Sequence, residues 1–563
     1  MPVEQLRNEI VRVLREMGVE QPPEVSLERP RNPEHGDFAT NVAMTLARPL
    51  RRPPRQIAEE LVERLDLTGG GIQSAEVAGP GFINFRLAGD YLLDGLRAIV
   101  EQGRDFGRSN EGAGQRVMVE FVSANPTGPL HIGHGRQAAL GDAVAELLAW
   151  TGWSVYREFY YNDAGEQIAR LTRSVWARYQ QELGEQVPFP EDGYHGDYVV
   201  DLARQLIQSE GDRFRGDDSQ EALEAMRRFA VRELRAEQNR DLDALRVHFD
   251  NFFLESSLYD SGRVQETIDR LRETGLVYEK DGALWLETTR FGDDKDRVMV
   301  KSSGHPTYFL PDVAYHLTKW ERGFHRAINV QGSDHHGTVA RVRAGLQALG
   351  LPEGYPEYVL HQMVLVVRGG EEVKFSKRAG NYVTLRDLYE EVGVDVTRYF
   401  FLMRRAEAQL TFDLDLALDH SEKNPVYKLQ YAHARMSSIF RRAGMASGDE
   451  VDIGADLSPL TAEAEREIIK LLLRFPEVIS SSAERHTPHS VCEYLEELAG
   501  AVNSWYHSGN LAPELRVVGT EVPPEVSRAR LVLARAIQLV LANGLRVLGV
   551  SAPERMERQP EAA

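Results

Sequence analysis

Residues 120–136, EFVSANPTGPLHIGHGR, constrain this chain more than any other stretch. Val117, Met118, Val119, Phe121 and Val122 surround one acid, Glu120, in an apolar run of strand length. Pro126, Gly128 and Pro129 break the run. His131-Ile132-Gly133-His134 follows, and then Ala138, Leu140, Ala143, Val144, Leu147 and Leu148 recur at helical spacing. Strand, glycine turn, helix is how an α/β sheet offers main-chain N–H groups to a phosphate. Gly133 and Gly135 lack Cβ, which would let a nucleotide approach the backbone. The imidazoles of His131 and His134 can donate to phosphate oxygens. Either one alone reads equally well as a helix cap or a core residue.

The same alternation extends from Arg116 to about Phe412. Strand-like runs at 117–122, 155–160, 327–330 and 359–367 are separated by helical stretches, the order of a doubly wound, Rossmann-like parallel sheet. A segment at about 163–293 separates its halves. Residues 222–245 within it are charged and helical, and Asp281-Gly282 is a hairpin signal. It is expected to be an insertion. Residues 1–110 look like a separate α+β domain. Leu6, Ile10, Val13, Leu14 and Met17 share a helix face, a second helix lies near 56–65, and residues 82–86 alternate as a strand. After Asp413 the strand signal stops. Residues 427–442, 462–484, 489–508 and 526–548 read as amphipathic helices. The expected organisation is therefore multidomain α/β: 1–110, a catalytic domain at 111–412 with its insertion, and an all-α domain at 413–563.

Charge and cysteine content narrow the chemistry. The single cysteine, Cys492, excludes an internal disulfide and a multi-cysteine zinc site, so no protein-bound zinc is expected. No apolar run is long enough for a bilayer, and MPVEQLRNEI lacks the apolar core of a signal peptide. A cytoplasmic protein with no membrane partner is expected. The net charge of -20 opposes general binding of nucleic acid, but a local strip can still admit it. Lys428, Arg435, Arg441 and Arg442, with Arg528, Arg530, Arg535 and Arg546, form such a candidate strip. Tyr427, Tyr431 and Trp505 supply faces for stacking single-stranded bases. Each cation alone reads as a solvated helix face.

Three further motifs carry chemistry. Lys374-Phe375-Ser376-Lys377-Arg378 puts three cations within five residues, a loop suited to closing on phosphates. Tyr308-Phe309-Leu310-Pro311-Asp312 puts a tyrosine and a carboxylate four apart, where both can share a face at a helix start. A carboxylate there can hold a guanidinium bidentately, or Asp312 can cap a helix after a proline. Gln331-Gly332-Ser333-Asp334-His335-His336 ends a strand and opens a helix, the second rim of a switch-point crevice. Asp334-His335-His336 also matches the signature of metal-dependent phosphoesterases.

HIGH and KFSKR at this separation resemble the two signatures of class I aminoacyl-tRNA synthetases. The flanking SANPTGPLHIGHGR is similar to the arginyl-tRNA synthetase family in particular. The second signature has Phe375 where that family's consensus has Met. HGDFATNVAM and AGPGFINFRL resemble the family's N-terminal additional domain, which reads the tRNA elbow. PVYKLQYAHARM and ARAIQLVLANGLRVLGVSAPERM resemble its helical anticodon-binding domain. The resemblance implies an arginine-tRNA ligase, with ATP as substrate and Mg2+ accompanying it. L-arginine and tRNA(Arg) would be its partners, and a monomer is expected. It implies that His131, His134, Lys374 and Lys377 are catalytic, and that Gly133, Gln331, Asp334 and His335 help bind ATP. Glu120, Ser123, Asn125, Glu255, Tyr308 and Asp312 would bind arginine, and no residue would bind a metal. Phe82 and Asn84 would contact the tRNA elbow, and Tyr427 and Arg435 the anticodon. Read from the residues alone, Phe82 can equally be core and Asn84 a turn residue. Two other functions stay open at this point: a metal phosphoesterase built on Asp334-His335-His336, and a non-catalytic, synthetase-like RNA-binding protein.

Overall fold

The computed structural model describes residues 2–30, 32–68, 71–163, 165–373 and 382–556. Its central element is a five-stranded sheet. The strands run in the order Glu357–His361, Ala327–Gly332, Arg116–Glu120, Ser154–Tyr161, Asn251–Leu254, and every neighbouring pair is parallel. The order reverses between Arg116–Glu120 and Ala327–Gly332, so a crevice opens at the carboxyl ends of these two strands. The fifth strand, Asn251–Leu254, belongs to the segment expected to be an insertion; that segment supplies an edge of the main sheet. The expected strand at 359–367 is two strands. Gln362 leaves the main sheet to bond Ala406, and Val364–Arg368 pairs instead with Leu410–Asp413 and Glu371–Glu372.

The intervening segment has a core of its own. Helices Glu166–Glu182, Asp197–Glu210 and Gln220–Ala244 pack through Leu171, Val175, Leu202, Leu206, Met226 and Leu234. The Asp281-Gly282 turn takes φ of 53° and 72°, the doubly left-handed turn that matches strand twist. It joins Val277–Lys280 to Ala283–Leu286 in an antiparallel three-stranded sheet with Arg297–Val300.

The chain divides into two compact units. One comprises residues 1–104, 436–474 and 501–540; the other comprises 105–435, 475–500 and 541–563. In the first, Phe38–Thr40, Phe82–Leu87 and Ile72–Ala78 form an antiparallel sheet in that order. Helices Pro2–Glu16, Val42–Leu50 and Pro54–Arg64 accompany it. The C-terminal part is helical, as its periodicity predicts, with one difference. Residues 462–484 form two helices, Glu463–Leu473 and Phe475–Arg485, broken at Arg474. No helix among the described residues is long and apolar enough to cross a membrane.

Candidate active site

Helix Ile132–Trp150 begins at the crevice with His131 as its N-cap. His131 Nδ1 accepts from the His134 N–H at 3.2 Å, and the His131 N–H lies 3.4 Å from His134 Nδ1. The rings stack with centroids 3.6 Å apart. Burial pushes His131 down to about 4, against the pull of Asp334, and holds His134 well below the usual range. Both are neutral at pH 7. Since each Nδ1 is used as an acceptor, each proton sits on Nε2, which is left as a donor. The glycines of this turn serve packing. A Cβ on Gly133 would meet the His131 ring at 2.9 Å, and one on Gly135 would meet Leu385 at 2.6 Å and Phe401 at 3.0 Å. Gly133 also lines the cleft described below.

Arg136 has a function that sequence reasoning missed. It is fully buried and donates to the carbonyls of Gln362 (2.7 Å), Arg405 (2.9 Å) and Ala408 (3.1 Å). Gln137 donates to the Val330 carbonyl. These bonds tie the helix to both sheets beside the cleft.

The cleft is lined by His131, Gly133 and His134 on one rim, and by Gly332, Asp334, His335 and His361 on the other. Met363, 78% exposed, stands at its edge. Burial pushes His361 down to about 4, and its Nε2 is buried without a hydrogen-bond partner among the described residues. The strand ending in Gly332 leads to this rim, and the Gln331 Oε1 is buried with no hydrogen-bond partner among the described residues. Lys374 and Lys377 lie outside the described residues. The segment that carries them leaves from Val373 and returns at Tyr382, both in the cleft wall. Tyr382 is 5.9 Å from His131, edge to face, and Ile132 bonds the Val383 carbonyl.

A second cluster lies at the ends of the neighbouring strands. Glu120 is 4% exposed, and Lys319, fully buried on helix Phe309–Glu321, donates to it at 2.5 Å and to Asn329 at 2.9 Å. Ser123 donates to the other Glu120 oxygen at 2.9 Å while accepting the Tyr160 N–H at 3.2 Å. Val122 and Ser123 take φ of 69° and 42° to allow this, a left-handed pair that costs a β-branched residue about 1–2 kcal/mol. Glu158 is bound by Arg322 at 2.6 Å and Tyr315 at 2.9 Å. Glu255 accepts from the Tyr160 hydroxyl at 2.7 Å and is raised by burial. Asp312 differs from these acids. It is half-buried in the first turn of its helix, whose cap position is Tyr308, and its carboxylate accepts no hydrogen bond from the described residues. Burial raises Asp312 to about 7; Arg341 and Lys319 oppose the rise, and Glu255 and Glu120 add to it. The capping alternative for Asp312 does not hold. Tyr308 is 76% exposed, and Asn125 donates to Gln167 at 2.6 Å. Tyr160 and Tyr259, which sequence reasoning missed, feel the charges of both Glu255 and Asp312.

Asp334 and His335 lie 3.6 Å apart on an exposed turn before helix His336–Ala348. The described residues hold no group of three or more His, Cys, Asp or Glu able to bind a metal. Phe82 is 39% exposed, and it shares the outer face of its strand with Asn84 and Arg86. Tyr427 and Tyr431 stack at 5.8 Å, and the Arg435 guanidinium lies 4.5 Å over Tyr431. Two members of the expected basic strip are buried: Arg435, and Arg530, which bonds Glu465 at 2.7 Å. Trp505 is buried too. Arg441, Arg442, Arg528 and Arg546 are exposed.

Three families match consecutive parts of the chain. They are described as the arginyl tRNA synthetase N terminal domain (residues 4–87), the class I (R) tRNA synthetase catalytic domain (96–402) and the DALR anticodon binding domain (429–556). The arginine–tRNA ligase of Thiobacillus denitrificans is 51% identical, over 98% of this chain and 99% of its own. That of Geobacter metallireducens is 54% identical, over 95% and 96%. The structure of Thermus thermophilus arginyl-tRNA synthetase superposes with a TM-score of 0.76 at 26% identity, covering 98% of this chain and 100% of its own.

Proposed function

We propose a division of labour among these residues on the premise that the chain belongs to the arginyl-tRNA synthetase family. As an arginine–tRNA ligase it uses ATP to join L-arginine to tRNA. The phosphoesterase and non-catalytic readings have no support beside this. In the first step an arginine carboxylate oxygen attacks the α-phosphorus, the bond to the bridging oxygen breaks, and pyrophosphate leaves with that electron pair. No covalent enzyme intermediate is needed, so the protein contributes position and charge. In the second step a terminal ribose hydroxyl attacks the adenylate carbonyl. The anhydride C–O bond breaks, AMP leaves, and the hydroxyl proton passes to its phosphate.

The observation that carries the amino-acid assignment is Asp312. It is a half-buried carboxylate that accepts no hydrogen bond from the described residues, near Glu255 and Tyr160, while Glu120 and Glu158 are occupied by Lys319 and Arg322. A guanidinium offers the planar fork that such a carboxylate accepts. In this reading Tyr308, Ser123, Asn125 and Glu120 complete the arginine-binding set. Rejection of analogues that lack the fork would then need no editing domain. His131 and His134 hold triphosphate oxygens through neutral Nε2–H donors. Gly133, Gln331, Asp334 and His335 frame the nucleotide. Lys374 and Lys377 neutralise the leaving pyrophosphate. Mg2+ would accompany ATP and offset the charge of its triphosphate, and no zinc is needed.

For tRNA, the exposed Phe82 and Asn84 suit stacking and hydrogen bonding at the elbow, and the Tyr427–Tyr431 stack suits anticodon bases, with Arg435 supporting it from beneath. Residues 1–110, 111–412 and 413–563 serve as elbow, catalytic and anticodon modules. The enzyme works as a cytoplasmic monomer with no membrane partner. Pyrophosphate exchange across a panel of amino acids, with and without tRNA(Arg), tests this reading. It expects turnover with arginine alone, and turnover with another amino acid refutes it.

A further inference from the structure

A guanidinium is a flat cation with two kinds of surface. Its N–H groups point outward in the plane, and a carboxylate takes them edge-on. Its faces are weakly hydrated and stack on aromatic rings. The acid cluster holds both kinds of partner, and the protein's own cations use several of them. Glu120 is taken by Lys319 and Glu158 by Arg322. The rings follow the same rule. The Lys319 ammonium lies 4.4 Å over Tyr315, and the Arg322 guanidinium lies 5.5 Å over Tyr156 and 6.0 Å over Phe253. Tyr160 has its ring 4.5 Å from that of Tyr315 and its hydroxyl on Glu255.

Tyr259 is different. It is 48% exposed, and no lysine, arginine or aromatic ring among the described residues lies over it. Its place is nevertheless fixed. It belongs to the short helix Ser256–Asp260. The Asp163 carboxylate holds the first residue of that helix twice, accepting from the Ser256 N–H at 3.0 Å and the Ser256 hydroxyl at 2.7 Å. Leu258 is buried in one core with Leu310, Val313 and Ala314 of helix Phe309–Glu321, the helix that carries Asp312. Tyr259 follows Glu255 by one helical turn, so the two share a face. Burial first, and then the charges of Glu255 and Asp312, raise the Tyr259 hydroxyl above its ordinary value, so the ring is neutral at working pH.

We infer that Tyr259 is a specificity residue for the amino acid: its ring stacks on one face of the substrate guanidinium while Asp312 takes the edge. The inference rests on the ligase reading and adds to its acids a recognition element of different chemistry. An ammonium has no flat face to stack, and citrulline has the face without the charge. The ring therefore weighs against lysine and citrulline together.

The test is pyrophosphate exchange by the full-length enzyme with tRNA(Arg) present. Tyr259→Leu keeps apolar bulk and loses the ring. It should lower kcat/KM for arginine by roughly three- to thirtyfold, the range of one cation–π contact, through KM rather than kcat and with the KM for ATP unmoved. Tyr259→Phe keeps the ring and should recover most of that loss. A side chain that only packs could give the same pair of results, so a graded series decides. Phenylalanine carrying one, two or three ring fluorines is placed at this position, because fluorine drains the negative face of the ring and nearly preserves its shape. Stacking of a cation predicts a stepwise fall in kcat/KM for arginine with each fluorine. An equal kcat/KM across the series would overturn the proposal. So would a Tyr259→Leu variant within about twofold of wild type, or one whose loss appears in the KM for ATP. If Tyr259→Leu melts below assay temperature, the fluorinated series decides alone. A wild-type enzyme that exchanges no pyrophosphate with arginine would refute the ligase reading itself, which is a separate failure.

Discussion

Replacing Asp312 with Asn keeps the shape of the pocket and removes one charge. Two opposite effects follow from its burial. In the ligand-free protein the carboxyl is raised from 3.8 to about 7, so between those values the folded state holds a proton that the unfolded state has lost. Stability then falls as pH rises from about 4 to about 7 and stays lower above that. Roughly three pKa units at 1.36 kcal/mol each set a ceiling of about 4 kcal/mol. Solvent at the half-exposed carboxylate reduces this, and about 1–3 kcal/mol is a fair expectation. Asp312→Asn should therefore melt higher than wild type at pH 8 and show no advantage near pH 4. For binding the sign reverses. A guanidinium favours the ionised form, so arginine should expel a proton near neutral pH. The kcat/KM for arginine should fall below about pH 7, while kcat at saturating arginine should not. Without the charge, discrimination of arginine over citrulline should shrink by roughly 2–5 kcal/mol, the scale for breaking a desolvated charge pair. The assays are melting curves at two pH values and pyrophosphate exchange with both amino acids. An unchanged arginine/citrulline ratio, together with an unchanged melting temperature at pH 8, would place the guanidinium partner elsewhere. Glu255 is the next acid to test, because Glu120 is already held by Lys319.

Lys377→Ala should slow adenylate formation by about 2–4 kcal/mol in the transition state and leave the arginine KM nearly unchanged; single-turnover kinetics with an undiminished rate would remove the loop from the mechanism. Lys319→Met leaves Glu120 buried without its cation and should cost about 3–5 kcal/mol of stability, read from urea unfolding; a variant as stable as wild type would show that the Lys319–Glu120 pair does not hold this part of the fold together. Tyr427→Ala should raise the KM for tRNA while arginine binding, followed by calorimetry, persists; equal losses in both would reduce Tyr427 to a packing residue. This point change is a cleaner probe than deleting the chain after Phe412. That deletion would strip fully buried Arg398 of the Leu548 carbonyl and Tyr399 of Glu496, and so test folding rather than recognition.

The strand, glycine turn and helix at residues 117–148 were legible because all their signals are local: an apolar run, two prolines, a histidine cap and a period near 3.6. The same holds for the Asp281-Gly282 hairpin and the C-terminal helices. Legibility ended where main-chain direction is decided at a distance. Residues 359–367 read as one strand, but Arg136, more than 200 positions earlier, takes the Gln362 carbonyl and the chain changes sheets there. The candidate site shows the same limit. Its acids could be named from the sequence, but their states could not. Glu120 is paired because Lys319 lies 199 residues on, whereas burial, with the neighbouring Glu255 and Glu120, raises Asp312 to about 7. Tyr160 and Tyr259 carried no motif, and they became visible only as neighbours of Glu255 and Asp312. Residue type and local period determine which elements form and which groups can do chemistry. A parallel sheet gathers the ends of strands distant in sequence, and only that gathering decides which charges are neutralised and which remain for a substrate.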